Sequence, residues 1–237
     1  MVAVLVFFSA ALITDDVPQH LAVARKLVDD LRGSSLNAYG GGKRYIEWGP
    51  STYTARTVCS SFATLLLQHS YGWTNDYVKE WIGLTNPEAE NYHDAIGLHK
   101  GFLQIVHLSA IKPGDYLAVK YTDHHESNNG VEDTGHVMLV DEAPQALAAK
   151  APLVPGTKQY FVTVIDSSAS GHGTSDTRHI GPGKFTGGIG RGVIRLYADG
   201  EDRLAGYTWS DEKKSPYYTT PARDMVIGRL DKARLPR

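Results

Sequence analysis

Cys59 is the only cysteine in the chain, and it stands directly before an apolar run in the segment "VCSSFATLLL". The spacing of that run predicts a helix over about residues 58–69, with Cys59 in its first turn. Unpaired backbone N–H groups and the helix dipole at that end favour a negative charge, and so favour the nucleophilic thiolate. The same N–H groups could stabilise an oxyanion on an attacked carbonyl. Because most free cysteines are packing residues, the interpretation as a nucleophile depends on a partner base.

Of the ten histidines, His136 is the best placed to serve as that base. It begins the run "HVMLV" at the mouth of a predicted strand, whose rigid backbone would hold the ring toward a cleft. Asp166 ends the run "YFVTVID". If the two strands pair antiparallel with Met138 opposite Val164, His136 lies opposite Asp166 on the same face. The carboxylate would then accept the second imidazole N–H, as a Cys-His-Asp triad requires. Alternatively, Asp166 is a turn residue at the end of its strand.

The elements that must position these residues fall into two halves. Helical spacing predicts helices at 16–31 and 58–69 and in "TNDYVKEWIGL" and "NPEAENYHDAIGLHKGF", with a loop in "NAYGGGKRYIEWGPSTYTART". The period then changes to two, which predicts strands in "IKPGDYLAVKY", "GHVMLVDEA", "QYFVTVIDSS", "GVIRLYAD" and "RDMVIGRL". Helices followed by an antiparallel sheet predict an α+β fold.

The order of a helix-start cysteine, a strand-start histidine and a strand-end aspartate resembles that of the papain-like superfamily, and in particular the NlpC-type cell-wall cysteine peptidases. The resemblance is carried by "YGGG", "VCSSFATLLL", "IKPGDYLAV", "GHVMLVDEA" and "VTVIDSS", over about residues 37–168. Where that family commonly has Asp-Cys-Ser-Gly, this chain has Val58, Cys59, Ser60 and Ser61.

The resemblance implies a papain-like core, in which the helix that bears the nucleophile packs on an antiparallel sheet. We expect one such domain over residues 15–237, with a helical insertion around 72–108. The implied activity is that of a cysteine hydrolase that cleaves an amide bond in bacterial peptidoglycan, with no cofactor and no metal. Cys59, His136 and Asp166 would be catalytic, and Tyr39 and Ser60 would shape the oxyanion or substrate site. An acyltransferase or a lipid-amide hydrolase would use the same triad, so these reactions stay open.

Other interpretations stay open as well. A metal site is one, because acidic and histidine side chains crowd two loops, although no His-x-x-x-His spacing supports it. These residues are Asp123, His124, His125, Glu126, Asp133, His136, His172 and Asp176. A non-catalytic module on the same fold could instead bind a glycan or a peptide. The glycines of "GGIGRG" fit a dinucleotide-binding loop poorly because a strand follows them, and we interpret them as a mobile loop over the cleft.

Composition and the N-terminal segment restrict the partners and the cellular location that we expect. The formal net charge is -2, without a dense stripe of Lys and Arg, which argues against a nucleic-acid partner. A single cysteine excludes an internal disulfide and a Cys-rich metal site. The apolar start "MVAVLVFFSAALITDD" is too short to span a bilayer, so we expect no stable membrane span. It resembles a secretory signal without the basic start, and we interpret residues 1–14 as an export signal or an apolar N-terminal segment. The former predicts an extracytoplasmic location.

Overall fold

The computed structural model describes residues 17–49, 52–126, 132–146, 148–219 and 222–236. The segment 1–14, interpreted above as an export signal or an apolar start, lies outside them. The helices of the described residues are α1 (Gln19–Leu31), α2 (Cys59–Tyr71), α3 (Asn75–Ile82) and α4 (Ala89–Gly97). All of them lie in segments where the spacing predicts helices, and α3 and α4 occupy the region 72–108. Within the described part of the chain, no helix is both long enough and apolar enough to cross a membrane.

Local chemistry explains where α2 and α3 meet. Gly72 ends α2 with φ at 70°, a left-handed conformation that glycine adopts without steric cost. The hydroxyl of Thr74 then accepts a hydrogen bond from the backbone N–H of Tyr77 at 3.2 Å, which caps the first turn of α3. A glycine and a threonine two residues apart therefore stop one helix and start the next.

The strands are β1 (Asn37–Tyr39), β2 (Tyr45–Glu47), β3 (Thr54–Thr57), β4 (Phe102–Gln104), β5 (Tyr116–Glu126), β6 (Glu132–Val140), β7 (Gln145–Ala146), β8 (Lys158–Ser168), β9 (His179–Gly181), β10 (Lys184–Phe185), β11 (Gly188–Ala198), β12 (Leu204–Thr208), β13 (Tyr217–Tyr218) and β14 (Arg223–Leu230). A large sheet has the order β13-β12-β11-β8-β6-β5-β14-β4, with β7 also paired to β8, and its pairs are antiparallel. The predicted α+β class, with helices and a large antiparallel sheet, is confirmed.

Both faces of this sheet are buried, because successive strand residues point to opposite faces and most residues of β8 and β11 are buried. On one face, Leu139 and Ile165 pack with the apolar sides of α1, α2 and α4. On the other face, Val140 and Val164 belong to a second apolar cluster. Burial at about 25 cal/mol per Å² of apolar surface makes these two clusters the main source of stability.

The large sheet is weakly joined between β6 and β8. Eleven residue pairs connect β8 to β11, from Gly188↔Ser168 to Ala198↔Lys158. In the described part of the chain, β6 pairs with β8 only at Leu139↔Ile165 and Val140↔Val164, and the N–H of Asp141 extends the ladder to the carbonyl of Thr163 at 2.8 Å. Toward the start of β6 the two strands therefore run without a backbone ladder between them.

Two segments differ from expectation. The predicted loop over 37–57 contains a small sheet of β1, β3 and β2, whose three- and four-residue strands are too short to produce a clear period. The segment "GGIGRG" is not a mobile loop over the cleft, because β11 begins at Gly188 and is paired to β8 along its whole length. Glycines in this strand leave room for a loop that packs against it.

Candidate active site

Cys59 is the first residue of α2, so the structure places it at the helix N-terminus as expected. The residue before it, Val58, donates its backbone N–H to the hydroxyl of Ser61 at 2.9 Å. No described residue accepts the backbone N–H of Cys59, which belongs to the helix turn that lacks internal acceptors. Cys59 is 6% exposed, and its Sγ lies 4.0 Å from the carbonyl oxygen of Gly135. A thiol with a free N–H beside it is thus held next to β6.

His136 and Asp166 are brought together, but by a different register from the one assumed. The Nε2 of His136 lies 2.6 Å from Oδ2 of Asp166. The pairs Leu139↔Ile165 and Val140↔Val164 set Met138 toward Asp166, so the assumed pairing of Met138 with Val164 is wrong by two residues. A shift of two residues keeps every side chain on its face, and diagonal neighbours on one face are within reach of long side chains. The imidazole therefore crosses diagonally to the carboxylate.

Among the described residues the ladder between β6 and β8 stops short of this end, and Cys59 lies near the pair there. By alternation, His136 and Asp166 belong to the sheet face of Val140 and Val164, whereas Cys59 belongs to the apolar cluster of the helix face. Where the ladder stops, the N-terminus of α2 approaches His136 from the face of the sheet that carries the helices. Cys59 is then near enough to His136 for its charge to affect the protonation of the ring.

Electrostatics at this contact favour a charged imidazole. Burial of the His136 ring opposes the proton, but the charge of Cys59 and the hydrogen bonds to Asp166 and Cys59 prevail and raise the pKa of His136 to about 10. Because Nε2 faces Asp166, Nδ1 is the nitrogen left for Cys59. The site is therefore arranged for proton exchange between sulfur and Nδ1.

Asp166 has two further partners, which the sequence interpretation missed. The Nε2 of His172 lies 3.1 Å from its Oδ2, and Nη2 of Arg178 donates to its Oδ1 at 2.8 Å. Burial of the fully enclosed Asp166 carboxyl opposes ionisation, but Arg178, His172 and the bond from His136 hold its pKa well below the usual range. His172 and Arg178 lie in the loop before β9, whose turn-rich sequence "GHGTSDTR" gave no signal of burial.

A cavity of about 310 Å³ opens beside His136. Aromatic rings form much of its wall, together with Asp133 and small residues after β8; the rings are Tyr39, Tyr121, Tyr207, Trp209 and Tyr218. Trp209 packs edge-on against His136, with the ring centroids 4.8 Å apart. The cavity could accommodate a substrate with an apolar or aromatic contact surface next to the imidazole.

The two predicted residues at the substrate or oxyanion position have different placements. Tyr39 lines the cavity and is 38% exposed, and burial of its hydroxyl together with the charge of Cys59 raises its pKa. Ser60 is buried in the first turn of α2, where its carbonyl accepts the hydroxyl of Thr64 at 3.0 Å, and no described contact joins its side chain to His136 or Asp166. Tyr39 therefore lies at the site, and Ser60 lies behind it.

Of the residues considered for a metal site, the side chains of 123–126 lie outside the described part. Asp133 and His136 both line the cavity. His172 and Asp176 are not in a separate loop site, since the two belong to the group around Asp166 and Arg178.

Comparison with known proteins shows a relative of the chain and no match to a family model or a solved structure. The chain is 33% identical over 226 residues to the uncharacterized protein R653 of Acanthamoeba polyphaga mimivirus, and the alignment covers 90% of this chain and 97% of the viral protein. The chain belongs to the same family as this mimivirus protein.

Proposed function

We propose that this protein is a cysteine hydrolase that cleaves an amide bond, on a papain-like core. The observation that carries the proposal is the arrangement of Cys59 at a helix N-terminus, beside His136, whose Nε2 is 2.6 Å from Asp166. A candidate nucleophile, a candidate base and a residue that could orient the base are thereby neighbours, in the order that covalent catalysis needs. A packing role for the cysteine would require neither neighbour.

In the proposed reaction the Cys59 thiolate attacks the carbonyl carbon, and the carbonyl oxygen becomes an oxyanion. The free backbone N–H of Cys59 donates to that oxyanion, and Tyr39 is close enough to the cavity to assist. Collapse of the adduct breaks the C–N bond, and the His136 imidazolium gives its Nδ1 proton to the leaving amine. The neutral imidazole then takes a proton from water, whose oxygen attacks the thioester. A carboxylic acid leaves, and the thiolate–imidazolium pair is restored.

For the substrate, we propose a peptide of the bacterial cell wall and an extracytoplasmic site of action, on the resemblance to NlpC-type peptidases. The aromatic cavity beside His136 offers such a peptide a contact surface next to the imidazole. An acyltransferase and a lipid-amide hydrolase would share every step up to the thioester. The acyltransferase would differ in the group that attacks the thioester, and the lipid-amide hydrolase in the acyl group that the thioester carries.

The first experiment tests the nucleophile without a substrate. The rate of Cys59 alkylation by iodoacetamide is measured from about pH 5 to pH 9. We expect the reaction to stay fast well below the pH at which an ordinary thiol, with a pKa near 8.5, loses reactivity. The Cys59→Ser variant provides the blank. A folded protein whose Cys59 reacts no faster than a free thiol at low pH would contradict the proposal, and would favour a binding module.

The second experiment tests the bond. Purified peptidoglycan fragments are incubated with the protein and with Cys59→Ala, and the products are weighed by mass spectrometry. We expect cleavage with addition of one water, and none with the variant. Products that carry an added amine instead of water would indicate acyl transfer. A reactive Cys59 with no product would overturn the peptidoglycan assignment and leave the nucleophile intact.

A further inference from the structure

The groups behind the triad form a second, fully buried layer. Arg178 is 2% exposed, and its guanidinium donates to both carboxylates near it: Nη2 to Asp166 at 2.8 Å, and Nε and Nη2 to Asp176 at 2.9 and 2.7 Å. Its Nη1 donates to the carbonyl of Gly188 at 3.1 Å. A planar guanidinium can satisfy this fork, whereas an ammonium group cannot.

His172 is held from two sides as well. Its Nδ1 lies 2.7 Å from the carbonyl oxygen of Trp209, and its Nε2 lies 3.1 Å from Asp166. Its backbone N–H donates to Asp176 at 2.8 Å, the same carboxylate that binds Arg178. The loop is therefore tied to itself through Asp176 and to the triad through His172 and Arg178.

The sheet is shaped to receive this loop. A Cβ on Gly190 would lie 2.7 Å from Cδ of Arg178, and a Cβ on Gly192 would lie 2.7 Å from Cβ of His172. In β11 these residues pair with Asp166 and Val164, so they lie on the same face as the carboxylate. Alternate glycines in β11 thus make the space that the second layer occupies.

We propose that Arg178 and His172 are positioning residues, which keep Asp166 an ionised acceptor so that His136 presents its other nitrogen to Cys59. This inference rests on the function proposed above. Neither residue lines the cavity. Arg178 reaches the triad through Asp166, whereas His172 contacts both Asp166 and Trp209, the ring that packs on His136.

The physical reason is the position of the protons on Asp166 and His136. A carboxyl group enclosed as completely as Asp166 would take up a proton if it had no cation beside it. A neutral carboxyl could donate to Nε2 of His136, and the ring proton would then sit on Nδ1, which faces Cys59. The imidazole could no longer accept the thiol proton. With Arg178 and His172 in place, the carboxylate accepts, Nε2 carries the proton, and Nδ1 is free for exchange.

Several other charged or titratable groups bear on the pair, and the test must separate them from these two residues. They are Cys59 from α2, Tyr39 from β1, Tyr121 from β5, Asp133 from β6, and Asp176 behind Arg178. Of the described side chains, His136, His172 and Arg178 are the ones that contact the Asp166 carboxylate.

The test measures the alkylation of Cys59 by iodoacetamide against pH, with circular dichroism as a check of folding. In Arg178→Met we expect the rate at pH 6 to fall about tenfold or more, with the pH of half-maximal rate moved up by about one unit. Arg178→Lys keeps the charge and loses the fork, so a smaller shift is expected. His172→Gln should move the profile in the same direction.

Arg195 supplies the matched control. It is also fully buried and lies in β11, but it donates to the carbonyls of Ala151 and Glu212 at 2.8 Å and makes no described contact with Asp166. Arg195→Met should cost stability and leave the pH profile unchanged, because Arg178 faces the Asp166 carboxylate and Arg195 does not.

The outcomes are distinguishable. A wild-type Cys59 that reacts as an ordinary thiol would contradict the proposed function. A reactive wild type with unchanged profiles in Arg178→Met and His172→Gln would overturn the positioning roles alone. If Arg178→Met does not fold, unchanged profiles in both Arg178→Lys and His172→Gln would likewise overturn the positioning roles.

Discussion

Two regions of this molecule place a buried histidine beside a cavity, and they differ in the charge around the ring. His136 is 5% exposed, beside the cavity of about 310 Å³. His20 in α1 is 2% exposed, beside a larger cavity of about 550 Å³ that is lined by residues around Pro18, Gly114 and Lys232. Burial and cavity size would rank the His20 region first as a site of chemistry.

The hydrogen-bond partners reverse that ranking. His20 faces a carbonyl, that of Gly114 at 2.9 Å from Nε2, and a hydroxyl, that of Tyr71 at 2.7 Å from Nδ1. The carbonyl can only accept, so Nε2 carries the proton and Nδ1 accepts from Tyr71. Burial lowers the pKa of His20, and the bond to Gly114 and the charge of Asp115 only partly oppose it.

Two arginines that line the larger cavity are paired with aspartates. Arg25 donates to Asp141 at 2.6 Å, and Arg229 donates to both oxygens of Asp115 at 2.8 and 2.9 Å. These ion pairs link distant parts of the chain, and burial is the main cause of the lowered pKa of His20. Around His136, by contrast, burial opposes the proton, but the charge of Cys59 and the carboxylate of Asp166 both favour the imidazolium. The neighbours of a buried histidine, more than its burial, decide whether it can move a proton.

Replacing each histidine should separate the two regions most sharply. His136→Ala removes the proposed base, and we expect a loss of about 10²- to 10⁴-fold in amide cleavage. The rate of Cys59 alkylation near pH 6 should fall with it. His20→Gln, which can keep one donor and one acceptor, should leave both rates within about twofold of wild type, as expected for a residue outside the site. Equal losses in the two variants would remove the distinction between the regions.

The glycines of β11 provide the next largest effect. Gly190→Ala and Gly192→Ala each push a methyl group against the loop that carries Arg178 and His172, so a destabilisation of about 1–3 kcal/mol is expected from denaturant midpoints. Gly97→Ala at the end of α4 is the control, because nothing lies within 4 Å of its Cβ position. There we expect a gain of about 0.4–1 kcal/mol. Neutral results at Gly190 and Gly192 would contradict the close packing.

Stability against pH should distinguish the histidines by sign. The pKa of His20 is lowered in the folded state from its usual 6.5, so the unfolded chain binds the proton more readily. The free energy of unfolding should therefore decrease as the pH falls below about 6.5, and the decrease should be smaller in His20→Gln. His136 acts oppositely, since its pKa is raised to about 10 and its contribution is lost as the pH rises through that value. Urea midpoints at pH 8, 6.5 and 5 measure the acid side, and an identical slope in His20→Gln would refute it.

The smallest change concerns the hydroxyl that supports His20. Tyr71→Phe removes the donor to Nδ1, and a cost of about 0.5–1.5 kcal/mol is expected in thermal or urea unfolding. Alkylation of Cys59 should stay at the wild-type rate. A change in that rate would mean that the two regions are coupled.

The sequence is sufficient to predict that His136 and Asp166 meet and that Cys59 begins a helix near them. An apolar run of helical period fixes the start of α2 near Cys59, and period-two runs fix the strands that carry His136 and Asp166. Alternation determines the face of each side chain and leaves the register undetermined. For this reason the expected contact is present although the strands pair two residues away from the assumed register.

The second layer is not predictable in the same way. Arg178 and His172 lie in a polar, glycine-rich segment that has the composition of an exposed turn, and only the packing against β11 shows that they are buried. The period of Gly188, Gly190 and Gly192 is the one available signal. Alternate glycines in a strand indicate that another part of the chain approaches closely on that face.

The short ladder between β6 and β8 has a mechanical consequence. At the end of the sheet that holds the site, the bond from His136 to Asp166 is a direct tie between the two strands, where a hydrogen-bonded backbone would otherwise stand. The proposed catalytic pair thus also joins β6 to β8 at a place where their backbones are not hydrogen-bonded to each other. Any change that releases this bond, by protonation or substitution, would loosen the join between these two central strands and the orientation of His136 together.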